Sequence, residues 1–91
     1  MNNTNKLTLI EGSFSQEEAR EILLNMFSAK INFHNARNWS SQERWGKDDA
    51  IAQQRVPALK QEVEKLEAIL AEAGKGNKEL LIQSEVSITI R

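Results

Sequence analysis

Seven residues in the middle of the chain bring chemically capable side chains close together: Lys30, His34, Arg37, Trp39, Arg44, Trp45 and Lys47. Lys30, His34 and Arg37 stand at i, i+4 and i+7, a spacing that sets three cationic donors on one side of a helix. Such a row can hold a phosphate, a carboxylate or a nucleic-acid backbone. The competing account is structural. Lys30 and Arg37 would lay their aliphatic stems along the border of a core with their charges in water, and His34 would be a packed histidine with a backbone partner. Long charged side chains are seldom fully buried, which favours the structural account.

From Lys30 to Lys47 four cations, Lys30, Arg37, Arg44 and Lys47, face a single acid, Glu43. Tryptophan beside cations grips single-stranded nucleic acid by stacking plus phosphate contact. Alternatively, Trp39 and Trp45 plug the tip of a helical hairpin, each burying a large area. Asp48 and Asp49 follow at once and weaken any local positive field, so plugging is the expectation. Catalytic chemistry has thin material. The chain has no Cys, no Tyr and one His, and it carries neither a glycine-rich phosphate loop nor a Gly-X-Ser-X-Gly turn. The pairs that acid–base catalysis requires are not visible. No enzyme activity, cofactor or metal is expected, and no motif assigns the chain to a family.

Ninety-one residues make one small domain, residues 1–91, without room for a second core. Twelve basic residues against 13 acidic ones leave a net charge of −1, so no global field attracts nucleic acid or an anionic membrane. A hydrophobic share of 40% with 27% charged residues is that of a folded domain rather than a disordered chain. The longest apolar runs, Ile22-Leu23-Leu24 and Leu80-Leu81-Ile82, fall far short of the roughly 18 residues of a membrane span or the apolar stretch of a secretory signal. A cytoplasmic location without membrane contact is therefore expected.

Four elements must position these side chains. Leu7 and Leu9 alternate with Lys6 and Thr8, which predicts a strand over residues 6–11, broken by Gly12 and Ser13, with Ile10 on the wrong face. Ser15 with Glu18 forms a capping box that opens a helix over 15–38. Its apolar residues, from Ala19 through Ile22, Leu23, Leu24, Met26, Phe27, Ile31 and Phe33, cover more than the stripe needed to pack on one neighbour, so two surfaces are expected to touch it. Residues 39–48 read as a connection containing one helical turn, with Ser40 and Glu43 as its capping box and Gly46 as its left-handed end. Asp48 or Asp49 then caps a helix over 49–73.

In that second helix Ala52, Val56, Leu59, Val63, Leu66, Leu70 and Ala73 are spaced 4, 3, 4, 3, 4 and 3 apart, the seam of a helix pair. Pro57 either kinks it or starts it, and the seam's continuity through Ala52 favours the kink. Gly74 to Asn77 turn the chain. A strand over 79–91 follows, with Leu80, Ile82, Ser84, Val86, Ile88 and Ile90 on one face.

The expected fold is α+β, in the order β-α-α-β: an antiparallel helical hairpin packed on a small antiparallel sheet of the N- and C-terminal strands. Because the last strand is expected to be about twice as long as the first, its C-terminal half lacks a partner, which points to completion by dimerisation through Val86, Ile88 and Ile90. The function expected is that of a small non-enzymatic homo-oligomeric interaction or scaffold protein, with a homodimer as the assembly. The alternative is a nucleic-acid or anion-binding module built on residues 30–47.

Overall fold

A computed structural model describes residues 3–91. It runs β1 (Asn3–Phe14), α1 (Gln16–Trp45), α2 (Ala50–Lys75) and β2 (Leu80–Ile90), and β1 and β2 pair as a two-stranded antiparallel sheet. The β-α-α-β order and the helical hairpin follow the sequence pattern, while three boundaries move.

The capping box at Ser15 forms as its residue types require. Ser15 Oγ accepts from the Glu18 N–H at 3.1 Å, and Glu18 Oε1 accepts from the Ser15 N–H at 2.9 Å. From there α1 runs unbroken for 30 residues to Trp45, so the connection expected at 39–48 shrinks to the few residues after it. Ser40 and Glu43 lie inside the helix and cap nothing. Nothing in Trp39 to Trp45 forbids helical backbone, and a helix already nucleated extends at low cost. Gly46 ends it at φ 68°, ψ 21°, a left-handed conformation in which its N–H reaches the Gln42 carbonyl at 2.9 Å.

Asp49 caps α2, its carboxylate accepting from the Ala52 N–H at 2.9 Å. The seam is buried as its spacing demands: Ala52, Leu59, Leu66 and Leu70 are buried, with Val56, Val63 and Ala73 half-buried. Pro57 sits inside a helix that continues on both sides of it, so α2 does not start there. The two helices are further joined by Arg20, whose guanidinium donates to both Glu67 carboxylate oxygens at 3.0 and 2.8 Å. At the open end Gln16 Nε2 donates to the Leu70 carbonyl at 2.9 Å. A side chain on Gly74 would collide with that amide, its Cβ lying 2.8 Å from Gln16 Nε2. The turn beyond α2 places its positive φ at Asn77, 49°.

The largest departure concerns β1. It does not stop at residue 11 but spans 12 residues against the 11 of β2, paired from Asn3↔Ile90 to Phe14↔Leu80. Gly12 breaks nothing: its φ of 151° lies where side chains are disfavoured, and the strand passes through it. The expected unpaired half of β2 does not exist. The register shifts between Thr8 and Ile10, leaving Leu9 as the extra residue of a bulge. That one insertion explains why Ile10 looks misplaced in the sequence. Before the bulge Leu7 faces Val86; after it Ile10 faces Ser84 and Phe14 faces Leu80, so Leu7, Ile10 and Phe14 share the face of Val86, Ile82 and Leu80.

The packed core sits where the base of this ribbon meets the open end of the hairpin. Ala19, Leu66 and Leu70 form its buried centre, with Phe14, Leu23, Leu24, Phe27, Leu80 and Ile82 around them. The molecule measures 50 × 35 × 15 Å with a radius of gyration of 16.6 Å, against about 12 Å for a compact chain of this length. Its shortest extent is 15 Å against 50 Å for the longest, so the molecule is flat and elongated rather than closed around one centre.

Candidate functional site

The central cluster does not assemble as one site. His34 is buried, 5% exposed. Its ring meets Phe33 edge-on, centroids 5.5 Å apart at 75°, and both ring nitrogens lack a hydrogen-bond partner. The backbone partner expected for it is absent. Lys30 and Arg37 point outward instead, over the ring of Phe33: Lys30 Nζ is 5.0 Å and Arg37 Cζ 5.6 Å from its centroid. Two cations on one exposed ring are a local cation–π arrangement that holds both heads at the surface.

Trp39 and Trp45 do not plug the hairpin tip, as they are 64% and 70% exposed. Because α1 continues through both, six residues of helix turn them about 120° apart. Polar groups close the tip. Ser41 Oγ donates to the Lys47 carbonyl at 2.9 Å, Gln42 Nε2 donates to Asp48 Oδ1 at 2.7 Å, and Asn38 Oδ1 accepts from the Asp49 N–H at 2.8 Å.

The longer helix does align something that a connection at 39–48 would have hidden. Lys30, Arg37 and Arg44 recur every seven residues, so they follow one line along α1 with only about 20° of drift per step. Among the described residues the ion pairs are Lys6–Glu85, Arg20–Glu67 and Lys65–Glu62; the three aligned cations and Lys47 take part in none. Arg37 and Arg44 flank a shallow notch of about 320 Å³ that Ser40, Ser41, Trp45 and Asp49 complete.

The second candidate surface is the ribbon. Beyond its packed base, the face that should point to a core is open: Leu7 is 55%, Val86 37%, Ile88 46% and Ile90 59% exposed. All four lie on the side that packs on the helices through Phe14, Leu80 and Ile82. The opposite side is polar over the same stretch. Thr4 and Thr89 hydroxyls meet at 3.1 Å, and Lys6 Nζ lies 4.0 Å from Glu85 Oε1. At the root of the open face a groove of about 430 Å³ runs between Leu23, Met26, Phe27 and Lys30 of α1, Leu59 of α2 and Ile82 to Ser84 of β2. The wide apolar arc of α1 is thus only partly claimed, by α2 and by the ribbon base.

Val86, Ile88 and Ile90 were legible from alternation, but Leu7's membership of the same face was not, because only the bulge at Leu9 brings it into register with Ile10. The apparent misplacement of Ile10 was the available signal. No group of three or more potential metal ligands occurs among the described residues, and no helix of the described chain is long and apolar enough to cross a membrane. Comparison of the chain with protein-family models, with curated proteins and with solved structures finds no match.

Proposed function

We propose that the chain is a non-enzymatic scaffold that works as a homodimer, its subunits meeting at the ribbon, where the open apolar side chains lie. The observation that carries this reading is Leu7, Val86, Ile88 and Ile90 standing uncovered on one face of a molecule 15 Å deep. Each such side chain contributes roughly 1.5–3 kcal/mol on full burial, and all of them lie on the side where the fold builds its core. A second copy beside the ribbon extends this face into one shared apolar strip, and twofold symmetry gives both copies the same contact. The non-enzymatic part rests on the chemical inventory: the single imidazole is buried and out of a substrate's reach.

The test is the mass of two variants in solution. Ile88→Lys places a charge on the open face and should yield a monomer or an unfolded chain. Thr4→Lys places the same charge on the polar face of β1 and should leave mass and stability nearly unchanged. Equal behaviour of the two would remove the ribbon from the interface.

A second reading is favoured by one observation, the line of unpaired cations Lys30, Arg37 and Arg44 beside the exposed Trp45. It makes α1 a polyanion-binding face. Such a face would bind generic single strands with an affinity that falls steeply with salt. Absence of binding at low salt excludes it.

A further inference from the structure

We infer that the second copy joins through the free edge of β2, the two β2 strands pairing antiparallel about a twofold axis at Ile88 to make one four-stranded sheet in the order β1-β2-β2-β1. This rests on the homodimer proposed above and specifies its register.

The ribbon has two free edges, and they differ. The β1 edge is interrupted by the bulge at Leu9 and by Gly12 at φ 151°, and it carries Lys6 and Glu11. Bulges, glycine and charge are the features that discourage strand addition. The β2 edge has none of these interruptions over Leu80–Ile90, with Glu85 as its one charged residue inside the strand. Of the two, only β2 offers an unbroken row of backbone donors and acceptors.

Symmetry then limits the register. In an antiparallel pair about a twofold axis, residues facing each other have numbers with a constant sum, and facing residues share a face. An axis at Val86 or Ser87 sets Ser84 against Ile88 or Ile90 and leaves Glu85 facing a hydroxyl residue. An axis at Ile88 sets Ile88 against itself and Val86 against Ile90 on the apolar face. On the polar face it sets Ser87 against Thr89 and Glu85 against Arg91 of the second copy, twice by symmetry. It is the register in which every apolar partner is apolar and the two charges are opposite. Opposite-charge and β-branched cross-strand pairs both stabilise a sheet. Glu85, already 4.0 Å from Lys6 on one flank, gains Arg91 on the other. The helical hairpins stand on the apolar side of the sheet, one toward each end, and wall the strip that the two sets of Leu7, Val86, Ile88 and Ile90 form.

The chain has no cysteine, so single-cysteine variants read the register directly. Facing residues lie about 4.5–5.5 Å apart between Cα atoms, inside the range that a disulfide bridges. Residues four apart along the strand direction are separated by about 13 Å and cannot be bridged. Under mild oxidation Ile88→Cys should therefore cross-link to itself. Val86→Cys and Ile90→Cys should each stay uncross-linked alone and cross-link when mixed. As a variant set that keeps the apolar face intact, Glu85→Arg and Arg91→Glu should each weaken the dimer roughly tenfold, with the double reversal restoring it. A dimeric wild type in which Val86→Cys or Ser87→Cys self-cross-links while Ile88→Cys does not overturns the register and leaves the dimer standing. A monomeric wild type overturns both.

Discussion

His34→Leu should stabilise the protein, although it removes a large aromatic side chain from the interior. A neutral imidazole carries one N–H donor and one acceptor nitrogen, and both are buried here without a partner. Leaving a buried polar group unsatisfied costs about 1–3 kcal/mol each. At the lower end of that range the two nitrogens together cost about 2 kcal/mol. Leucine has a similar volume and no polar atom, so it relieves that cost without opening a cavity. It forfeits the edge-on contact with Phe33 at 5.5 Å, an arrangement worth about 0.5–1.5 kcal/mol. The balance is a gain of roughly 1 kcal/mol, rising toward 3 if each nitrogen costs more than the minimum. With a urea slope of about 1–3 kcal/mol per molar for a small protein, a gain of about 1 kcal/mol should raise the midpoint by roughly 0.3–1 M. Equilibrium urea unfolding followed by far-UV circular dichroism, at one fixed protein concentration because association adds to apparent stability, measures this. A midpoint that falls in a variant of unchanged helix content would mean that His34 makes a hydrogen bond worth keeping, and would refute the reasoning.

Pro57→Ala restores an N–H in the interior of α2 that can donate to the Gln53 carbonyl, and should raise the unfolding midpoint by an amount up to about 3 kcal/mol; an unchanged or lower midpoint contradicts this. Gly46→Ala forces a side chain into the left-handed end of α1 and should cost about 1–2 kcal/mol, read in the same assay, whereas no loss would mean that the turn relaxes freely. The backbone N–H of Ser15, and then its side chain, hold the Glu18 carboxyl below the ordinary glutamate range. A carboxyl depressed on folding stabilises above its unfolded value and loses that contribution as pH falls through the folded one. The stability difference between wild type and Glu18→Gln should accordingly shrink on acidification below the ordinary glutamate range, and a difference that widens there contradicts the capping account.

The elements set by local chemistry were readable in the residues themselves. Ser15 with Glu18, Asp49, Gly46 and the 4-3 spacing from Ala52 to Ala73 each act within a turn or two of chain, and each is where its type requires. What failed depended on partners distant in sequence. Whether residues 3–5 and 12–14 extend a strand is decided by β2 lying alongside them, not by their own modest propensity. The bulge at Leu9 is likewise a property of the pair. The region 39–45 misled for another reason, since Trp, Ser and Gln tolerate helix and turn alike and the true stop signal was Gly46 alone. For the candidate sites, the open face at Val86, Ile88 and Ile90 was visible as alternation. Along the cationic row the favoured structural account describes what is found, His34 buried with Lys30 and Arg37 at the surface, except that the backbone partner expected for His34 is absent. Losing the surplus length of β2 removed one reason for expecting a dimer. The shallow depth of the molecule and its open apolar face supply a different one.

The central claim is that the molecule is completed by a second copy of itself, and molar mass by light scattering across a concentration series tests it most directly. Twice the 10.3 kDa of the chain is expected at micromolar concentration, for wild type and Thr4→Lys alike, with dissociation to the monomer only on dilution. A folded wild type that remains at 10.3 kDa up to high micromolar concentration would contradict it.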